Sequence, residues 1–154
     1  MNKSRVGVIG AGQMGNGIAH VMALAGYNVL LTDTSSEALS RAENIISRNL
    51  DRQVSRDKIS DLDKAEALSR IEMTQKLADL GQTELVIEAA TERETIKAAI
   101  FEDLLPHLQP HTILTANTSS ISITRLASRT DRPERFMGFH FMNPVPIMQL
   151  EELI

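Results

Sequence analysis

At 154 residues, with 42% hydrophobic and 23% charged side chains, the chain is long enough to bury its own core and too apolar for intrinsic disorder. Twenty acidic against 16 basic residues give a net charge of -4, which argues against general nucleic-acid binding, because that needs a basic footprint to displace counterions. Without cysteine there are no disulfides, thiol nucleophiles or Cys-ligated zinc. Without a signal peptide or an apolar run near the ~20 residues a bilayer requires, the expectation is a cytoplasmic protein with no membrane partner.

RVGVIG is a short β-branched run ending in glycine and predicts a first strand. MGNGIAHVMALAGY follows with Ile18, Val21, Met22 and Ala25 at helical spacing, and Gly26 suits the C-terminal cap. NVLLTD predicts a second, buried strand. Thr34 and Glu37 have the spacing of a capping box for the next helix, whose inner face carries Leu39, Ala42, Ile45, Ile46 and Leu50. Ser60 and Asp63 predict another cap, opening a shorter helix to about Arg70. A plain βαβ crossover needs one helix, so the two over residues 36–70 predict a helical arm projecting from the sheet.

Beyond the arm, strands are predicted near Ile71–Thr74 and in ELVIEAA. A helix is predicted from about Glu92 to Leu108, with Ile96, Ile100, Phe101, Leu104, Leu105 and Leu108 inward. TILTAN is a further strand, SITRLASR a short helix capped by Ser122, and RFMGFHF another strand. Strands alternating with helices imply an α/β fold with a mostly parallel, doubly wound sheet.

Gly10-Ala11-Gly12-Gln13-Met14-Gly15 satisfies G-x-G-x-x-G between the first strand and the first helix, and Asp33 ends the second strand. In that context Gly10 permits the tight turn, Gly12 admits a pyrophosphate to the backbone, and Gly15 brings helix and strand close. The phosphates lie at the helix N-terminus, where unpaired N–H groups favour negative charge. A carboxylate at Asp33 accepts from adenosine ribose hydroxyls and repels a 2′-phosphate, which selects NAD over NADP. FAD shares the fingerprint, and on these residues alone it remains open.

His140 ends a predicted strand, on the edge where open α/β sheets bind ligands. Alcohol oxidation needs a base for the hydroxyl proton, and imidazole, with an unperturbed pKa of about 6.5, both takes and returns one near neutrality. Asn143-Pro144-Val145-Pro146 makes a rigid turn, and Glu151 and Glu152 follow in a strand-like run. A carboxylate there returns to the imidazole, or the run is a solvated chain end; spacing does not decide. His107 and His111 are four apart, but Pro106 and Pro110 break a continuous helix, so no metal site is expected. His20, on the first helix, is expected to pack against the sheet.

Together VGVIGAGQMGNGIAH, IEAATERETIK, NTSSISIT and GFHFMNPVPIMQLEE resemble the NAD-binding, Rossmann-type domain of the 3-hydroxyacyl-CoA dehydrogenase family, and in particular its bacterial 3-hydroxybutyryl-CoA branch. The resemblance runs the length of the chain. It implies His140 as catalytic base, Glu152 as its orienting carboxylate, and Ser119 as the hydroxyl contacting the substrate oxygen and the nicotinamide region. It implies Asn117 and Asn143 as lining that region, Glu92 and Lys97 beside the cofactor with Lys97 also near the substrate, and Asp33 on the ribose. Read from the residues alone, Glu92 and Lys97 are a first-turn acid and a solvated helix lysine.

The resemblance also implies that the arm meets coenzyme A. Arg48, Arg52 and Arg56 share a helix face suited to its phosphates, with Lys58 just beyond, although Asp57 stands where the family often has glycine. The family's second, all-helical domain, which completes the catalytic centre and makes most of the dimer contact, has no counterpart in this sequence. The chain is thus expected to be the cofactor domain as a fragment, a truncated product or half of a split protein. Its expected partners are an acyl-CoA, a separate C-terminal helical domain or further copies of itself. A binding module without turnover is the rival reading. Other β-hydroxyacid dehydrogenases, which use a lysine base, are disfavoured by HFMNPVP.

Overall fold

A computed structural model describes residues 4–143, 145–146 and the backbone of 151–153. Among these, one sheet contains β1 (Arg5–Ile9), β2 (Asn28–Thr32), β3 (Ile71–Thr74), β4 (Leu85–Glu88), β5 (Ile113–Ala116), β6 (Phe136–Phe141) and β7 (Glu151–Leu153). Their order is β3-β2-β1-β4-β5-β6-β7. β1 to β6 run parallel, and β7 adds antiparallel to β6. The chain winds outward from β1 to β3 and then returns to β4. This doubly wound order opens a crevice beyond the carboxyl ends of β1 and β4, where the winding reverses.

The helices are α1 (Gln13–Leu24), α2 (Ser36–Ser55), α3 (Asp61–Ser69), α4 (Glu94–Leu104) and α5 (Ile123–Ala127). Val6, Val8, Val29, Leu31 and Ile87 face one layer, packed with Ile18, Ala19 and Ala23 of α1 and Leu39, Ala42, Ile46 and Leu50 of α2. Ile9, Leu30, Val86 and Leu114 face the other, with Phe101 and Leu104 of α4 and Leu126 of α5. Strands covered on both faces read as continuous apolar runs, and each fully buried aliphatic side chain contributes about 1.5–3 kcal/mol.

Helix ends follow local chemistry. α1 closes with Gly26 at φ 97°, Gly26 N–H donating to Ala23 O at 3.0 Å and Tyr27 N–H to Met22 O at 3.1 Å, the Schellman pattern. Ser60 and Asp63 form the expected reciprocal box on α3. At α2 the cap is Ser35 rather than Thr34: Ser35 Oγ accepts the Ala38 N–H at 3.1 Å, while Asp33 holds the Ser35 N–H at 2.9 Å. The carboxylate at the end of β2 thus shifts the start by one residue. Ser35→Ala is expected to cost about 1 kcal/mol in urea unfolding and Thr34→Ala within about 0.5; the opposite ranking would restore the box spacing.

α4 is shorter than its pattern and rotated. Pro106, lacking an N–H, sits in a 3-10 turn over Leu105–His107 that ends the α-helix. Ile96 is 37% exposed and Lys97 takes the inward place beside Phe101 and Leu104, while Ile100, Leu105 and Leu108 pack on the same core as expected. Spacing alone favoured Ile96 because a lysine was assumed to be solvated. A 3-10 turn at Leu77–Gln82, unforeseen in the sequence, buries Leu80 beneath the sheet. The arm does not stand clear of the sheet: α2 and α3 pack against α1, and Arg70 Nη1 donates to Ala23 O at 3.0 Å. Arg48, Arg52, Arg56 and Lys58 remain exposed at its far end, where Asp57 adopts φ 55°, the left-handed conformation glycine favours. No helix among the described residues is long and apolar enough to cross a membrane.

Candidate active site

The glycine turn is built by exclusion. Gly10 has φ 103°, and a Cβ there would lie 2.6 Å from Ala90 Cα, across the gap to β4. A Cβ on Gly15 would fall 1.5 Å from Gly10 O, so α1 abuts the turn backbone to backbone. Gly12 has nothing within 4 Å of its virtual Cβ; that space is what an approaching pyrophosphate needs. α1 has no side-chain cap and no acid in its first turn, leaving its leading N–H groups for an anion. The exposed Gln13 and half-buried Met14 lie beside this turn.

Asp33 ties turn to sheet. Its Oδ2 accepts the Ala11 N–H and its Oδ1 the Ser35 N–H, each at 2.9 Å. Both oxygens keep lone pairs, so the carboxylate is oriented yet still able to accept from hydroxyls. The residues fit a dinucleotide. Next to the turn, a cleft of about 440 Å³ is lined by Gly12, Gln13, Asn16, Arg41, Asn49 and Asn143, among others. α2 therefore contributes Arg41 and Asn49 to this cleft. Among the described residues its lining does not include Arg52 or Arg56; Arg52 Nη1 donates to Asn49 Oδ1 at 3.4 Å.

Across the crevice, Glu92 is exposed and accepts from Thr118 Oγ1 at 2.8 Å. The same hydroxyl accepts the Ile121 N–H at 3.1 Å, shaping the loop that carries exposed Ser119. Asn117 is 7% exposed, and its Oδ1 accepts the Phe141 N–H at 3.1 Å, so it braces the crevice from behind. Lys97 is not the solvated helix lysine that the residues alone suggest. It is 0% exposed, ion-paired with Glu88 and donating to Asn117 O at 3.1 Å, so its ammonium is held inside. Burial pushes the Glu88 carboxyl up, against the pull of Lys97. Glu88 escaped the sequence reading; the signal was a charged residue completing the stripe of Phe101 and Leu104.

His140, half-buried, lies in β6, where the antiparallel register pairs it directly with Glu152 of β7. The Glu152 side chain and Pro144 lie outside the described residues. Val145 and Pro146 pack on α1 where a Gly17 Cβ would meet Val145 Cβ at 2.9 Å, so the Asn143 turn sits against the glycine helix. The carboxyl ends of β1, β2, β4, β5 and β6 thus gather the glycine turn, Asp33, Glu92, Ser119 and His140 on one edge. His20 is buried, but its Nε2 meets Gln53 of α2 at 2.8 Å; burial lowers its pKa.

Residues 5–154 match the family model described as 3-hydroxyacyl-CoA dehydrogenase, NAD binding domain. The chain is 57% identical over 150 residues to a 3-hydroxybutyryl-CoA dehydrogenase of Bradyrhizobium diazoefficiens, covering 97% of this chain and 51% of that protein. It is 45% identical to the 3-hydroxyadipyl-CoA dehydrogenase of Escherichia coli, over 100% of this chain and 32% of the relative. The crystal structure of (S)-3-hydroxybutyryl-CoA dehydrogenase from Ralstonia eutropha aligns with a TM-score of 0.95 at 45% identity, covering 97% of this chain and 53% of that one. The chain spans about half the length of these 3-hydroxybutyryl-CoA dehydrogenases. By sequence and by fold it belongs to the 3-hydroxyacyl-CoA dehydrogenase family, as the NAD-binding domain.

Proposed function

We infer that this domain serves the reversible oxidation of (S)-3-hydroxyacyl-CoA, such as 3-hydroxybutyryl-CoA, to 3-oxoacyl-CoA. The observation that carries the reading is the β6–β7 register, His140 opposite Glu152. Directly opposed residues on antiparallel strands set their Cβ atoms about 5 Å apart on one face, a separation a glutamate spans to reach an imidazole. His140 takes the proton of the substrate hydroxyl as C3 loses hydride, and Glu152 holds the ring and stabilises the imidazolium. NAD, when bound, supplies the hydride acceptor. Ser119 donates to the substrate oxygen, and the Glu92–Thr118 bond keeps its loop in place. Asp33 receives the ribose; Arg41, with Arg52 and Arg56 further along α2, offers charge to coenzyme A phosphates.

Efficient turnover also needs water excluded and the thioester held close, which a helical domain folded over the crevice would provide. The second reading is an NAD-binding module without turnover of its own, because the glycine turn, the uncapped start of α1 and Asp33 need no other domain to hold a dinucleotide. Titration with NADH and reduction of acetoacetyl-CoA, with and without the helical domain of a relative, separate the two. NADH is expected to bind the chain alone, and turnover to rise when the helical domain is added. Binding without turnover in either mixture would leave only the module.

A further inference from the structure

The Glu88–Lys97 pair takes no part in the chemistry above, yet both side chains are 0% exposed, just behind the carboxyl edge of β4 and β5. Removing two charges from water is costly, and uncharged residues of similar size often stabilise a fold as well or better, so stability alone does not explain the pair. Its hydrogen bonds offer another role. The Glu88 carbonyl accepts the Asn117 N–H at 2.8 Å, and its carboxylate accepts the Ala90 N–H at 2.9 Å. Lys97 binds that carboxylate and donates to Asn117 O at 3.1 Å. The side-chain pair thus holds the Asn117 carbonyl, through Lys97, while the Asn117 N–H is held by the β4 backbone.

From Asn117 the connection passes to the proton-transfer strand. The β5–β6 register ends at Ala116↔Gly138, and Phe139, His140 and Phe141 lie beyond it. On the β5 side, the Asn117 Oδ1 bond to Phe141 N–H takes the place of the ladder; on the other side β7 pairs with the same three residues. An ammonium suits the junction because it offers several donors, enough for a carboxylate and a carbonyl together.

We propose that Glu88 and Lys97 are positioning residues: the Glu88 carboxylate keeps the Lys97 ammonium on the Asn117 carbonyl and so fixes, through the Asn117 side-chain amide, the end of β6 that presents His140 to the crevice. The proposal rests on His140 as the base, but its test reads the strand itself. Amide hydrogen exchange of Phe141 is measured by NMR in the native chain, in Lys97→Met, in Asn117→Ala, and in Glu88→Gln/Lys97→Met, where no unpaired carboxylate is left buried. In all three variants Phe141 is expected to exchange roughly 10-fold or more faster, while the Val8 and Leu31 amides follow global stability only. With the helical domain added, kcat for acetoacetyl-CoA is expected to fall about tenfold in the Lys97 variants. Unchanged Phe141 exchange in the Lys97 variants, or Phe141, Val8 and Leu31 moving together, would overturn the proposal. Selective loosening of Phe141 in a native protein that never reduces acetoacetyl-CoA would spare the brace and sink the dehydrogenase reading.

Discussion

Gly15→Ala is expected to abolish NADH binding and to remove several kcal/mol of stability. The new Cβ would lie 1.5 Å from Gly10 O and 2.7 Å from Gly10 C, both backbone atoms that no rotamer change can move. Gly10 cannot retreat. Its N–H donates to Thr32 O at 2.8 Å, and its own Cβ position is already blocked by the Ala89–Ala90 backbone. α1 must therefore lift off β1, opening the layer in which Ile18, Ala19 and Ala23 meet Val6 and Val8. Overpacking typically costs about 1–3 kcal/mol; a backbone clash this deep falls at or beyond the upper end, against a typical total of about 5–15. Gly12→Ala is the control: with 4 Å of open space around its Cβ, it should unfold within about 1 kcal/mol of the native chain while NADH affinity falls. Urea midpoints and NADH titration of the two variants check this, and equal stability losses would refute the division of labour between the glycines.

The same contrast explains what the sequence made legible. Features encoded by short-range chemistry could be read directly: short apolar runs for β1 and β2, the Ser60 and Asp63 box, Gly26 at the end of α1, and the glycine turn with Asp33 beyond it. Features set by what another element does were not. Asp33 captures Ser35 N–H and so moves the start of α2, which Thr34 and Glu37 do not reveal. The rotation of α4 depends on Glu88, a strand-end acid that makes a buried place for Lys97, so a side chain that looks like surface completes an interior stripe. The arm likewise looked like an appendage because its apolar face, Leu39 to Leu50, gives no hint of its partner; only the fold shows that partner to be α1 and the sheet. Of the residues proposed for the site, Asp33, Gly10, Gly12 and Gly15 can be picked out by motif and spacing. Arg41 and Asn49 were not, since lining a cleft depends on where the Asn143 turn comes to rest against α1.

Where a proton must be moved, the expected effects are again large. On the proposed chemistry, with the helical domain of a relative added, His140→Gln should lower kcat/KM for acetoacetyl-CoA reduction by about 10²–10⁴-fold, the usual worth of a positioned general acid–base, with NADH affinity within about twofold of native. The amide of glutamine can donate a hydrogen bond to the substrate oxygen but cannot deliver a proton to it. Glu152→Gln should also slow the reaction, by about 10-fold or more, because a neutral partner neither selects the productive tautomer nor stabilises the charged ring. The decisive measurement is the double variant. If Glu152 acts only through the imidazole that β6 and β7 set opposite it, the doubly substituted protein should be no slower than His140→Gln alone, a strongly non-additive result. Multiplicative losses would mean that the carboxylate reaches the substrate, the cofactor or the fold by a route of its own, and the pairing on which the proposed chemistry rests would have to be abandoned.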